Sequence, residues 1–213
     1  MSFDEVVRII VFVAGIRLPE ANLRGSGVQQ WRQTVVSQGV RTRTGVRGPM
    51  SSSDAALHPY LERIDFPYYV VTVRTPDGDM SGCLAGFVTQ CSISPPNFLV
   101  CVAKVNHTFE VADRSSAMGL HLLGEDQKEL ARIFGEETGD LVDKFAQCDW
   151  RLGATGAPLL VESAVALEGH ILGHFSAGDH EAYLVRAERA VEGSHGGLLM
   201  YRHAPHFHPG HPL

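Results

Sequence analysis

Three groups of residues in this 213-residue chain have types and spacing that bear on chemistry. The first is Lys104, Asn106 and Thr108. A bound phosphate needs a cation and unpaired backbone N–H groups, and a lysine directly before a helix that starts at Asn106, a good N-cap residue, offers both, with the Thr108 hydroxyl near the first turn. No other lysine precedes Lys128. The second group is Gln90, Cys91 and Ser92, polar residues in otherwise apolar, strand-like text that ends at the double proline Pro95-Pro96. The third is histidine. His195, His203, His206, His208 and His211 crowd the C-terminus, and His170, His174 and His180 lie on a predicted hairpin where some could share a face. Neutral imidazoles ligate zinc or nickel. No H-E-x-x-H or cysteine-paired spacing accompanies them, so no metal site is expected. A Ser-His-Asp hydrolase would need a G-x-S-x-G elbow, and a Rossmann site a strand followed by G-x-G-x-x-G; neither occurs.

The elements that must position these residues read mainly as strands. Phe66–Arg74 is aromatic and β-branched, and Thr75-Pro-Asp-Gly-Asp79 is a turn, so a hairpin with Met80–Ile93 is expected. Gly82 and Gly86 inside that partner strand signal a bulge, a bend or a close backbone approach. Further strands are expected at Asn97–Ala103, at Ala117–Leu123 with Met118, Leu120 and Leu122 on one face, and from Val165 to Phe175, which turns at Ser176–Asp179 into His180–Glu188. Helices are expected to be short. One begins at Asn106 and runs through Asp113. Another follows Glu125 and Asp126, carries Leu130, Ile133 and Phe134 as one stripe, and ends at Gly135. The sum is a mainly β, antiparallel domain with a few short helices, most economically a barrel closed to avoid free edges.

Composition bounds what such a domain does. A formal charge of -6 argues against a nucleic-acid partner held through phosphates. Residues 1–49 hold seven arginines against Asp4, Glu5 and Glu20, a net +4, which leaves -10 for residues 50–213. The apolar run Ile9–Ile16 is too short to span a bilayer, and Asp4 and Glu5 occupy the place of a basic signal-peptide start, so no membrane association is expected. Residues 1–49 are expected to be a disordered extension, or upstream sequence with Met50 as the true start. Residues 50–192 form the working domain, and 193–213 a His/Pro-rich tail. The cysteines Cys83, Cys91, Cys101 and Cys148 lack C-x-x-C spacing and read as free thiols in a reducing cytoplasm.

The run Ser81-Gly-Cys-Leu-Ala-Gly-Phe-Val-Thr-Gln-Cys-Ser-Ile-Ser-Pro-Pro96, followed by Phe98-Leu-Val-Cys-Val-Ala-Lys104, resembles the flavin reductase-like family with the FMN-binding split barrel. Asn106-His-Thr108, Leu120-His-Leu-Leu123, Asp143-Lys-Phe145 leading to Trp150, Gly156-Ala-Pro158 and Gly178-Asp-His180 match in order, over about residues 60 to 190. The resemblance implies an antiparallel split β-barrel and a homodimeric oxidoreductase that reduces FMN or FAD with NADH or NADPH and supplies reduced flavin to a partner monooxygenase. It places Gly86, Phe87, Gln90, Cys91 and Ser92 on the flavin. Lys104, Asn106 and Thr108 fall near its phosphate, and Gly178, Asp179 and His180 on the nicotinamide side, with His180 the catalytic candidate. Where many members carry Thr-x-Asn-Ser, this chain has Leu84-Ala-Gly-Phe87, which leaves backbone rather than side-chain contacts there. Ser94 stands where members often carry Asp.

Hydride transfer asks little acid–base work of a protein, because flavin and nicotinamide carry the chemistry and the fold must stack them, reacting atoms about 3 to 3.5 Å apart. His180 is thus expected to position or stabilise charge. The alternatives are a flavoprotein that keeps FMN tightly and reduces another acceptor, a non-catalytic flavin-binding module, and a histidine-dependent metal protein.

Overall fold

The computed structural model describes residues 52–193, 196–203 and 207. The expectations for residues 1–49 and for the side chains of His195, His203, His206, His208 and His211 lie outside what is described. After helix α1 (Ser52–Leu61), strands β1 (Tyr69–Arg74), β2 (Met80–Ala85), β3 (Val88–Ile93), β4 (Pro96–Ala103), β5 (Ala117–Leu122), β8 (Val165–Ala177) and β9 (His180–Glu192) form a seven-stranded sheet in the order β2-β1-β5-β8-β9-β4-β3. Every pairing in it is antiparallel. β6 (Trp150–Leu152) and β7 (Pro158–Leu160) make a separate hairpin. Helix α2 (His107–Ala112) follows β4, and α3 (Lys128–Glu136) follows β5.

The stretch Met80–Ile93, expected as one strand, is two. β2 and β3 are consecutive in the chain yet lie at opposite ends of the sheet, joined by Gly86 and Phe87. The edges do not pair, so the barrel is split there rather than closed. Gly86 permits the corner because a Cβ at that position would lie 2.2 Å from Cε2 of Phe66. Gly82 also marks a close approach, with a Cβ falling 2.8 Å from Cε1 of Phe134.

β1 is buried on both faces because the curled sheet encloses one core and carries another outside. Val71 and Val73 pack inward with Val100, Val102, Met118, Leu120 and Tyr183. Val70 packs outward with Leu130, Ile133 and Phe134 of α3, the stripe expected from the sequence. That helix starts later than expected because Gln127 folds back, its Oε1 accepting from Gly124 N–H at 2.7 Å. Gly135 does not end the helix. Its missing Cβ lets α3 lie against Leu84, 2.9 Å from where that atom would be.

Three motifs serve the frame. The Asp143 carboxylate caps the 3-10 turn Lys144–Gln147 by accepting from Phe145 N–H and Ala146 N–H. Lys144, 5% exposed, donates to the carbonyls of Gly82 (3.1 Å) and Phe134 (3.2 Å), and burial pushes its ammonium pKa down. Phe145 meets Phe134 and Trp150 edge-on. Glu168, 1% exposed, accepts from Thr155 N–H and Oγ1 at 2.7 and 2.9 Å and so ties the β6–β7 loop, where Gly156 has φ +87°, to β8. Burial works to raise the Glu168 pKa, but those hydrogen bonds outweigh it and hold it below the usual carboxylate range. His121 on β5 is fully buried, with Nδ1 donating to the Val70 carbonyl at 2.9 Å and Nε2 accepting from Leu160 N–H at 3.1 Å. Burial lowers its pKa to about 4.

After β9 the chain returns to the sheet. Leu199, 1% exposed, accepts from Tyr68 N–H and donates its N–H to Leu123, each at 2.8 Å, and Tyr201 N–H bonds the Phe66 carbonyl at 2.9 Å.

Candidate active site

Where β2 gives way to β3, a cleft of about 200 Å³ opens, with Gly86, Phe87, Cys101, Asn106, His180 and Phe207 among its lining residues. Each is set there by a local cause. Phe66 fills the space beneath Gly86 and touches Phe87 edge-on at 5.9 Å, so the Phe87 side chain is left 59% exposed at the mouth. The Phe87 carbonyl accepts from Cys101 N–H at 3.0 Å, which ties the corner to β4. β4 ends at Ala103, and Asn106 caps α2 by accepting from Thr108 N–H at 2.9 Å.

His180 enters from the tight β8–β9 turn, where Gly178 has φ +89°, a left-handed conformation that favours glycine. Its ring lies 5.5 Å from that of Phe87, and its Nδ1 is 2.8 Å from Oδ1 of Asp179. This hydrogen bond, with the nearby Lys104 charge contributing less, holds the Asp179 carboxyl below its usual range. Asp179 therefore stays ionised and orients the imidazole, leaving Nε2 as the ring nitrogen without that anchor.

Lys104 is committed to the same turn. Its ammonium bonds Ser176 Oγ and the Gly178 carbonyl (2.9 Å) and lies 3.7 Å from Oε2 of Glu181, while its N–H bonds the Asp179 carbonyl at 3.0 Å. Thr108 is fully buried, and its hydroxyl pairs with Ser81 Oγ at 3.0 Å. The trio Lys104, Asn106 and Thr108 is thus adjacent in the chain but points to three different partners, and only Asn106 lines the cleft.

The candidates separate by position. Gly86, Phe87, Asn106 and His180 come together, and Lys104, Gly178 and Asp179 brace His180 from behind. Gln90, Cys91 and Ser92 lie further along β3 and span an irregularity in its pairing, where Gln90 Nε2 donates to the Ser92 carbonyl and the Cys91 thiol to that of Asn97. Ile93 faces Pro96 across the turn made by the double proline, on the order of 20 Å along β3 from the cleft. The corner at the site is Gly86–Phe87, not the prolines.

Sequence reading overlooked Phe66, Phe207 and the polar group beside Lys104. Glu181, adjacent to His180 on a strand and so on the other face, accepts a hydrogen bond from His174 Nδ1 at 2.8 Å, and His174 stacks on buried Tyr183 at 5.4 Å. The alternation of His180, Glu181 and Tyr183 was the signal available. His174 and His180 consequently do not converge, and among the described residues no group of three or more His, Cys, Asp or Glu could hold a metal ion. A second cavity, about 400 Å³, lies between β2 and residues 139–145 and contains none of the candidates.

The cleft's aromatic and apolar walls with one histidine fit the edge of a planar ring system. Its volume is below the roughly 300 Å³ at which small-molecule pockets begin, so only part of a flavin would enter it. The family model for the flavin reductase like domain matches residues 61–208. The FMN reductase (NADH) RutF of Acinetobacter baylyi is 32% identical over 134 residues, covering 62% of this chain and 70% of that protein. The 4-hydroxyphenylacetate 3-monooxygenase reductase component of Klebsiella oxytoca is 29% identical over 143 residues, 65% of this chain and 83% of its own length. Among solved structures, the NADH:FAD oxidoreductase SgcE6 of Streptomyces globisporus superposes with a TM-score of 0.63 at 26% identity, covering 75% of this chain and 95% of that one.

Proposed function

Because the chain belongs to the flavin reductase like domain family, we propose that it is an NADH:flavin reductase that passes reduced flavin to a separate monooxygenase. The observation that carries this reading is the meeting of Gly86, Phe87, Asn106 and His180 in one cleft at the split of the barrel. A bound flavin would supply the redox chemistry by accepting a hydride from the nicotinamide. The protein's part is to bind and orient. Phe87 and the apolar wall behind it exclude water from one side of the cleft. Gly86 brings backbone to the surface without a side chain, in keeping with the replacement of the family's Thr-x-Asn-Ser by Leu84-Ala-Gly-Phe87. His180, held by Asp179, presents Nε2 to the ligand as a hydrogen-bond partner.

The phosphate is harder to place on Lys104 and Thr108, whose polar atoms have partners already. In this reading Lys104 acts through Gly178 and Asp179, fixing the turn that carries His180. The choice of NADH over NADPH rests on the Acinetobacter relative, an FMN reductase (NADH), and the monooxygenase partner on the Klebsiella relative, a monooxygenase reductase component.

The reading also makes the chain a homodimer. β3 is an edge strand whose Thr89 and Gln90 are exposed and whose Ile93 is 87% exposed, a surface that a second copy would cover. Gln90, Cys91 and Ser92 would then lie near a site shared between subunits. Placement in the cytoplasm accords with four free cysteines.

Oxidation of NADH and of NADPH by the full chain, with and without added FMN and FAD, tests the proposal. Flavin-dependent NADH oxidation supports it. A protein that oxidises neither nucleotide with either flavin refutes it, and a monomer by light scattering refutes the dimer.

A further inference from the structure

The C-terminal segment supplies an aromatic side chain to the cleft that motif matching does not single out. Phe207 lines the same cleft as His180. Its ring meets Tyr68 edge-on, centroids 5.6 Å apart at 82°. Tyr68 contacts Tyr201 at 6.1 Å and Phe66 at 6.2 Å; Tyr201 stacks on Phe66 at 4.9 Å, and Phe66 reaches Phe87 at 5.9 Å. One connected set of rings therefore runs from the segment after β9 to the corner residue Phe87. The segment is anchored before Phe207 by Tyr201 N–H on the Phe66 carbonyl and Arg202 N–H on Oδ1 of Asp65 at 3.2 Å.

The cleft is chemically two-sided. Leu84 and Phe207 pack against the outer apolar cluster that contains Phe134, and all three line the cleft. The polar side chains of Asn106 and His180 come instead from the start of α2 and of β9. A nicotinamide carboxamide placed against Leu84, Phe134 and Phe207 would find no side-chain hydrogen-bond partner among them, which is costly. A methylated benzene edge would lose nothing there and would gain from burial.

We propose that Phe207 is a specificity-determining residue, forming the wall against which the dimethylbenzene edge of the flavin ring packs. This rests on the flavin reductase reading and adds to it a residue and an orientation. The apolar edge enters the cleft, and the rest of the flavin lies outside it, as the small cleft volume requires.

The test compares FMN with its analogue lacking the two ring methyl groups, on the full chain and on Phe207→Ala and Phe207→Leu variants. Dissociation constants come from quenching of flavin fluorescence without NADH, and KM and kcat from steady-state NADH oxidation. The wild type should prefer FMN over the analogue by roughly tenfold, the worth of two buried methyl groups. Phe207→Ala should reduce that preference to within about twofold and raise the FMN KM with little change in kcat, because uniform binding is lost. Phe207→Leu, which keeps an apolar wall, should retain most of the preference. A residue that only supports the fold would weaken both ligands equally. Equal wild-type affinity for the two ligands, or a preference untouched in Phe207→Ala, overturns the assignment while leaving the reductase reading intact. A wild type that binds and reduces neither ligand overturns the reading itself.

Discussion

The outer face of the sheet and the split seam use polar residues in opposite ways. Beneath α3 and the β6–β7 hairpin, Lys144, His121 and Glu168 are all at most 5% exposed, and each has its hydrogen bonds made within the protein. At the seam, Phe87 is 59% exposed, and the side chains of His180 and Lys104 are 25% and 33% exposed. The first region spends its polar groups on joining elements that sequence separates widely, such as β5 to β7 and β8 to the 153–157 loop. The second leaves an aromatic ring and an imidazole nitrogen for something else to contact. The two regions meet at Phe134, which belongs to the outer cluster and lines the cleft, but their polar side chains are used differently, and substitutions of those side chains should divide accordingly.

The largest effect is expected at Lys144. Lys144→Ala leaves two buried carbonyls unpaired and opens space beside Phe134, and should lower unfolding free energy by roughly 3 kcal/mol, read from the midpoint of urea denaturation. The FMN KM of the folded fraction should move far less, because Lys144 meets the cleft only through Phe134. A shift in KM as large as that in stability would dissolve the division between the two regions.

Nearly as large is the linkage at His121. Its folded pKa of about 4 lies below the ordinary histidine value near 6.5, so the unfolded chain binds the proton first. Stability is complete above pH 6.5 and falls as pH drops from there to about 4, by roughly 3 kcal/mol in total. His121→Gln should flatten that part of the stability curve, measured by denaturation at a series of pH values. An unchanged curve would remove His121 as its source.

At the seam the expected sign reverses. His180→Ala should change the melting temperature by no more than about 2 °C while raising the NADH KM, or slowing flavin reduction, by about tenfold. The smallest effect is expected for Asp179→Asn, which keeps a hydrogen-bonding side chain beside His180 but removes the charge. Its kcat/KM for NADH oxidation should fall by about threefold, because the ring is held by a weaker, uncharged partner.

Strand positions were legible because β-branched and aromatic runs with turn residues between them state their own conformation. Phe66–Arg74, Asn97–Ala103 and Val165–Phe175 fall within a few residues of β1, β4 and β8. The cap at Asn106 was legible for the same local reason. The separation of β2 from β3 was not, since Gly86 gives the same local signal for a bulge as for a corner, and only the Phe66 ring beneath it decides between them. His121 hid in an alternating strand. Met118 and Leu120 mark one face for the core, but β7 covers the other, and two-sided burial leaves no polar face to read. Lys104 and Thr108 show the limit of motif spacing, because Ser176, Glu181 and Ser81, all distant in sequence, claim the atoms that a phosphate would need.

The central claim, that the seam cleft is where a flavin is reduced, is tested most directly by anaerobic mixing of the full chain with NADH and FMN, followed at the flavin absorbance, beside His180→Ala and Phe87→Ala at matched stability. Rapid FMN reduction by the wild type, slowed or weakened in both variants, is the expected result. FMN reduction that both variants carry out with unaltered kcat and KM would place the chemistry elsewhere on the molecule and contradict it.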